Sequence, residues 1–163
     1  MANIDATLQA SPGSINEGAS YKREIIINWN NIIKVGTFAD NDTVTYTIPV
    51  KAGELVTDVG VKCITAFDDS GSGDELNIIV GDGTDDNGYI TSAQLHVDDT
   101  EITWVANTGA YAVGGSGARG ELYLANDTID ILISPNISTG TDYSLNELTV
   151  GSVKVIAYIS NMN

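Results

Sequence analysis

The sequence predicts an all-β protein, an antiparallel two-sheet β-sandwich for which jelly-roll topology is the leading choice. Three observations support this fold class. Apolar and polar residues alternate with a period of two through most of the apolar segments. The connections are rich in Gly, Asn, Asp and Ser, which favour turns because they tolerate positive φ or bond to their own backbone. No window carries a sustained apolar stripe at helical spacing.

The alternation predicts the strands in chain order and the side chains that face the core. The first segment is a continuous apolar run, and its three consecutive isoleucines favour an extended strand. The predicted strands are 21–31, 43–50, 58–67, 75–80, 101–106, 120–125, 128–134 and 151–160. The predicted inward residues are Val44, Tyr46, Ile48, Val59, Val61, Cys63, Phe67, Leu76, Ile78, Val80, Ile102, Trp104, Leu122, Leu124, Ile129, Ile131, Ile133, Val153, Val155, Ala157 and Ile159.

The domain organisation follows from composition. We expect a single domain over residues 20–163, because no linker divides the chain into two cores. Residues 1–19 are polar apart from isolated apolar positions such as Ile4, Leu8 and Ile15, and we expect an N-terminal arm there. Two interpretations stay open, a frayed terminus and an arm that orders against a neighbouring subunit or partner. The segment lacks the basic start and apolar run of a signal peptide.

Net charge restricts the partners. The chain has 22 Asp and Glu against 7 Lys and Arg, a formal net charge of −15. We expect neither nucleic acid nor an anionic membrane as partner, because both are recognised through basic residues. Basic protein surfaces, cations and neutral polymers such as glycans are favoured instead. The only cysteine, Cys63, excludes an intrachain disulfide and is expected to be a buried, inert thiol.

Catalytic chemistry is poorly supported by the sequence. His96 is the only candidate general base, and no serine lies in a nucleophile-elbow sequence. The glycine-rich stretch 114–120 lacks the Lys and Ser/Thr ending of a P-loop. Paired carboxylates are numerous but fall in predicted loops, where acidic residues are expected as solvated surface. The sequence therefore predicts a protein that is not an enzyme and has neither a catalytic residue nor a cofactor.

The loop in "IIVGDGTDDNGYI", residues 78–90, is the stretch most similar to a cation site, because calcium prefers oxygen ligands gathered by a glycine-containing turn. Aligning Gly88 with the invariant glycine of an EF-hand puts Gly83 at the first ligand position and Gln94 where a glutamate is required. The loop is therefore not an EF-hand. An acidic strand connection is the favoured interpretation, and a looser calcium site stays open, with candidate ligands Asp82, Asp85, Asp86 and Asn87.

Loop aromatics are the remaining candidates for partner contact. Tyr89, Tyr111 and Tyr143 fall in predicted loops and are expected at a contact surface. Trp104 and Tyr46 are better explained as core or interface residues than as a sugar-stacking platform.

One block of the chain resembles a known group of proteins. Thr37–Leu95, with "TIPVKAGELV", "DVGVKCITAFD" and "LNIIVGDGTDDNGYI", and more loosely Gly151–Ser160, resembles small structural proteins of tailed-bacteriophage virions. The resemblance implies a capsid decoration (cement) protein or a related head component. It further implies a jelly-roll domain, usually a homotrimer, that binds the major capsid protein on the virion surface. Alternatives are a head- or tail-fibre domain that binds host glycans, and a carbohydrate-binding or adhesion module.

Overall fold

The computed structural model describes residues 3–6, 20–69, 76–95, 104–106, 108–111, 120–135 and 144–162. Within these ranges ten strands form two five-stranded sheets. The strands are β1 (Asn3–Ala6), β2 (Ser20–Asn28), β3 (Thr43–Val50), β4 (Glu54–Asp69), β5 (Leu76–Gly81), β6 (Ile90–Gln94), β7 (Trp104–Ala106), β8 (Glu121–Leu122), β9 (Asp127–Pro135) and β10 (Leu148–Asn161). A helix, α1 (Trp29–Val35), and a short 3-10 helix (Leu145–Glu147) complete the described secondary structure. None of the described helices is long and apolar enough to cross a membrane.

The strand order is that of a jelly roll. One sheet has the order β1-β3-β9-β5-β6, and the other has the order β2-β10-β4-β7 with β8 paired to β4. With β1 and β8 set aside, the first and last strands, β2 and β10, lie side by side in antiparallel pairing. Every connection except that from β5 to β6 crosses from one sheet to the other. The predicted two-sheet sandwich is therefore confirmed.

The core lies between the two sheets and follows the predicted alternation. The predicted inward residues of β3, β5, β9 and β10 are all buried, as are Val59, Val61, Cys63 and Phe67 of β4. Burial raises the pKa of the Cys63 thiol, as expected for an inert side chain. Strand β7 confirms the strand predicted around Trp104, while Ile102 lies outside the described residues.

Part of the predicted arm joins the sandwich. Strand β1 pairs in parallel with β3, with Ile4 opposite Val44, so it forms an edge of the first sheet. This pairing places four arm residues on the sheet of their own chain. Leu8 and Ile15 lie outside the described residues.

The prediction that 21–31 is one strand is wrong at its C-terminal end. Strand β2 ends at Asn28 and α1 begins at Trp29. The Asn28 side chain accepts a hydrogen bond from the Asn31 backbone N–H at 2.9 Å, and the Asn31 side chain accepts one from the Asn28 backbone N–H at 3.1 Å. This reciprocal cap satisfies two backbone donors and starts the helix, whose seven residues are too few to show a helical stripe.

Candidate functional site

The acidic loop between β5 and β6, residues 82–89, has a backbone fixed by its own hydrogen bonds. The Asp85 carbonyl accepts from the backbone N–H groups of Asp82 and Gly88, each at 3.0 Å. Gly81, the last residue of β5, lies very close to the turn: a Cβ on Gly81 would lie 2.0 Å from the Asp85 carbonyl oxygen. Glycine is therefore required at position 81, and the loop is a compact turn.

The side chain of Asp82 makes several of the hydrogen bonds that hold this loop, and the residue is only 3% exposed. Its Oδ1 accepts hydrogen bonds from the backbone N–H groups of Thr84 and Asp85, each at 2.9 Å. Oδ1 also accepts from the Tyr111 hydroxyl at 3.1 Å, and Oδ2 accepts from the Tyr123 hydroxyl at 3.1 Å. Four donors compensate the loss of hydration of the buried carboxylate. Asp82 thus ties the loop to two distant segments of the chain.

Three tyrosines enclose the Asp82 carboxylate. The hydroxyl oxygens of Tyr89 and Tyr123 are 3.0 Å apart, and the rings of Tyr89 and Tyr111 meet edge to face with centroids 5.0 Å apart. Burial, assisted by the negative charge of Asp82, raises the pKa of all three hydroxyls well above the ordinary value. The hydroxyls therefore stay protonated and remain hydrogen-bond donors. We call Asp82, Tyr89, Tyr111 and Tyr123 the tyrosine cluster.

The segment 108–111 packs closely onto the acidic loop. Gly109 N–H donates to the Tyr89 carbonyl at 2.9 Å, and Tyr111 N–H donates to the Gly88 carbonyl at 2.7 Å. A Cβ on Gly88 would lie 2.2 Å from the Tyr111 ring, and one on Gly109 would lie 2.3 Å from the Asn87 carbonyl oxygen. The glycines permit this approach, which side chains would prevent.

The candidate calcium ligands occupy two different environments. Asp86 and Asn87 are exposed and Asp85 is half-buried, whereas Asp82 is buried with both oxygens engaged. Among the residues that the structure describes, no group of three or more His, Cys, Asp or Glu side chains could hold a metal ion. A calcium ion at Asp82 would have to displace hydrogen bonds that hold the loop together. Calcium binding here stays a prediction from the sequence.

Further carboxylates make this end of the sandwich electronegative. Burial and the charge of Asp82 raise the pKa of Glu121. Burial also raises the pKa of Asp130, which is further raised by the charges of Asp127, Asp82 and Asp86 and lowered by a hydrogen bond from Thr128. These negative charges repel one another.

Comparison with known proteins gives a similarity in structure without one in sequence. No protein-family profile matches the chain, and no curated protein sequence matches it. The fold is similar to a chain of the cyanophage Pam1 capsid asymmetric unit, with a TM-score of 0.56 and 16% identity. That match covers 93% of this chain and 91% of the other. This likeness establishes the fold.

A second solved structure is much less similar. The Aeromonas hydrophila protein PliG, a periplasmic lysozyme inhibitor of g-type lysozyme, gives a TM-score of 0.34 and 14% identity. The match covers 96% of this chain and 99% of that protein, but at this score it carries no argument about function.

The tyrosines expected at a contact surface are placed differently. Tyr89 is 1% exposed, so the expectation that it contacts a partner is wrong. Its backbone N–H bonds to the Val80 carbonyl at 2.9 Å, which directs its ring into the cluster instead. Tyr111 is half-buried and bound to Asp82. Tyr143 and His96 lie outside the described residues.

Sequence reasoning missed Tyr123. The alternation in 120–125 was predicted to bury Leu122 and Leu124, but these side chains are 43% and 87% exposed and Tyr123 is 5% exposed. The cause is backbone pairing with the β3–β4 turn: Gly53 N–H donates to the Tyr123 carbonyl at 2.7 Å, and Tyr123 N–H donates to the Glu54 carbonyl at 3.0 Å. This pairing turns Tyr123 toward the core and the two leucines toward solvent. The alternation of apolar residues alone predicts the opposite orientation.

Proposed function

We propose that this protein is a non-enzymatic structural component of a tailed-phage virion, specifically a capsid decoration (cement) protein. In this role it binds across neighbouring major capsid subunits on the outside of the head and stabilises the shell. The observation that carries the proposal is the jelly-roll similarity to a chain of a phage capsid asymmetric unit, which spans nearly the whole of both chains. The similarity agrees with the resemblance of Thr37–Leu95 to phage structural proteins.

The interior of the domain is consistent with a purely structural role. The buried ionisable groups of the tyrosine cluster are engaged with one another and stabilise the turn at one end of the sandwich. Such a domain presents surfaces and edges to partners, which is what a protein that bridges subunits requires.

Oligomerisation belongs to the same proposal. We infer a homotrimer, the state that the resemblance to phage structural proteins implies, and linked copies on a symmetric lattice bind at several points at once and gain avidity without additional contacts. The net charge of −15 opposes non-specific aggregation and makes binding to the capsid dependent on ionic strength.

The test is reconstitution on particles. Capsids of the parent phage, purified without this protein, are mixed with the purified chain and separated by density-gradient sedimentation at low and high salt. We expect co-sedimentation at a fixed copy number per major capsid subunit and an increased temperature of capsid disruption. Absence of co-sedimentation at every salt concentration would overturn the proposal, and specific binding on a glycan array would favour a fibre domain instead.

A further inference from the structure

The outer face of the β2–β10–β4 sheet differs in charge from the rest of the chain. Inward residues of these strands are buried, so the alternate residues face solvent. Three of the seven basic residues of the chain lie there. We call this surface the lysine face; it consists of Lys22, Glu24, Ile26, Asp58, Lys62, Ile64, Lys154, Ile156 and Tyr158.

The register of the lysine face places like charges together. Lys154 lies directly opposite Lys62 on one neighbouring strand and opposite Ile26 on the other. Like charges directly opposite each other on a sheet are destabilising. Lys62 is exposed and Lys154 is half-buried, so a carboxylate of a partner could approach the pair from solvent and reduce this repulsion.

Only part of this positive charge is compensated. Glu24 lies 2.9 Å from the Lys22 amine and 3.8 Å from the Lys154 amine, so one carboxylate is shared by two lysines. Lys62 makes no ion pair with any residue that the structure describes. The face thus has three lysines against the two carboxylates Glu24 and Asp58, on a chain with 22 acidic residues.

Apolar side chains are interspersed with the lysines. Ile26 is 47% exposed, Tyr158 is 40% exposed and Ile64 is 37% exposed. Aromatic and aliphatic side chains at this exposure gain when a partner covers them, and tyrosine is enriched at interfaces. These apolar side chains give the face area that a partner can cover, and the lysines supply charge that a partner can complement.

A cleft of about 250 Å³ opens beside Tyr158. It is lined by Ser20, Tyr21, Lys22, Thr57, Tyr158 and Ile159. This is below the size of ordinary small-molecule sites, roughly 300–1,000 Å³. The cleft therefore suits one apolar side chain of a partner protein, and a carboxylate next to that side chain would reach Lys22.

We propose that the lysine face is the docking surface of this protein, and that its partner is a protein surface on which carboxylates surround an exposed apolar side chain. This inference rests on the proposed function, and the partner surface is then the exterior of the capsid. Nucleic acid is disfavoured because its phosphates continue beyond the lysine face and would meet the rest of a chain whose net charge is −15, whereas a local group of carboxylates meets only the lysine face. A second copy docked through the same face would place lysines against lysines.

The size of the face sets the expected affinity. Nine residues of β2 span about 30 Å, and three adjacent strands cover about 15 Å. Such an area corresponds to a small interface, below the standard size for stable complexes. One copy therefore binds weakly, and retention on the particle depends on several linked copies.

Lysine footprinting tests the proposal directly. The free protein and the protein on parent-phage capsids are treated with an amine-reactive acetylating reagent, and modification is read by mass spectrometry. We expect at least fivefold protection of Lys22, Lys62 and Lys154 on capsids. Lys34 and Lys51, which are exposed elsewhere, serve as internal controls and should be modified equally in both states. Protection of Lys34 and Lys51 instead, or protection of the lysine face already in the free protein, would overturn the proposal, the latter in favour of contact between copies.

Charge reversal provides a matched comparison. Lys62→Glu and Lys51→Glu change the net charge identically, but only the first alters the lysine face. We expect Lys62→Glu to weaken capsid binding at least tenfold and Lys51→Glu to leave it within twofold. If the wild-type protein binds capsids and both variants bind them with equal affinity, the assignment of the lysine face as the docking surface is wrong, but the proposed function stands. If the wild-type protein does not bind, the proposed function fails and this inference fails with it.

Discussion

Strand β2 contributes to an ion pair on each face of its sheet, and the two pairs differ in burial and in the number of groups that surround them. Arg23 faces inward and pairs with Glu54, with side chains 6% and 4% exposed. Lys22 faces outward and pairs with Glu24, with side chains 57% and 36% exposed. The residues are adjacent in sequence, so the pleat alone decides whether a charge belongs to the fold or to the surface.

The inner pair is fully engaged by its surroundings. Two bonds of 2.8 Å join the Arg23 guanidinium to the Glu54 carboxylate. Arg23 also donates to the Pro49 carbonyl, and Glu54 accepts from the Tyr21 hydroxyl and the Lys51 backbone N–H. Burial opposes ionisation of Glu54, but these bonds outweigh it and hold the pKa of Glu54 below its ordinary value. Such charges have no capacity left for a partner, unlike those of the lysine face.

Removing the inner cation should produce the largest loss of stability. Arg23→Met leaves the buried Glu54 carboxylate without its counter-ion, and we expect the free energy of unfolding to fall by about 3–5 kcal/mol. Urea denaturation monitored by circular dichroism measures the change. The matched variant Lys22→Met removes a cation from the outer face and should leave the urea midpoint unchanged. Equal losses in the two variants would show that the two faces do not differ as described.

Asp82 should be the next most sensitive position. Asp82→Ala leaves four hydrogen-bond donors without their acceptor, one of them on the buried Tyr123 and one on the half-buried Tyr111. We expect a loss of about 3 kcal/mol, because each unsatisfied buried group costs about 1–3 kcal/mol and loop relaxation recovers part. Asp86→Ala, in the same loop but exposed, should change stability by less than about 0.5 kcal/mol. Thermal or urea unfolding distinguishes the two, and a stable Asp82→Ala protein would contradict the structural role.

Sequence reasoning recovered those parts of the molecule that local alternation determines. The strands around Tyr46, Ile78, Ile131 and Val155 were predicted because period two is a local property of the chain. The partners of Asp82 could not be predicted, because Tyr111 and Tyr123 reach it through long-range contacts across 29 and 41 residues. The lysine face was missed for the same reason, since lysines on β2, β4 and β10 become neighbours only through strand register.

The close approach of Tyr111 to the acidic loop predicts a smaller effect. In Gly88→Ala the new methyl group would meet the Tyr111 ring at 2.2 Å, whereas a Cβ on Gly83 meets nothing within 4 Å. We expect Gly88→Ala to cost about 1–3 kcal/mol through overpacking. Gly83→Ala should be close to neutral in the same urea assay. If Gly83→Ala is the more damaging variant, the placement of segment 108–111 on the loop is incorrect.

The smallest effect should be a gain in stability. Because burial and the charge of Asp82 raise the pKa of Glu121, the folded state binds its proton more tightly than the unfolded state does. Stability contributed by this group is therefore present at low pH and is lost as pH rises from the ordinary value of 4.5 through the raised pKa.

Neutralising Glu121 should recover that loss. We expect Glu121→Gln to be more stable than the wild-type protein at pH 7 by less than about 1 kcal/mol, because the group is partly exposed. The gain should fade as the pH is lowered through the raised pKa toward the ordinary value of 4.5, because the wild-type carboxyl then takes up its proton in the folded state. Glu147→Gln, an exposed position with the same change in charge, controls for the general effect of reducing a negative net charge. An equal gain in stability in both variants would show that Glu121 is repelled by its neighbouring carboxylates no more strongly than an exposed surface glutamate is.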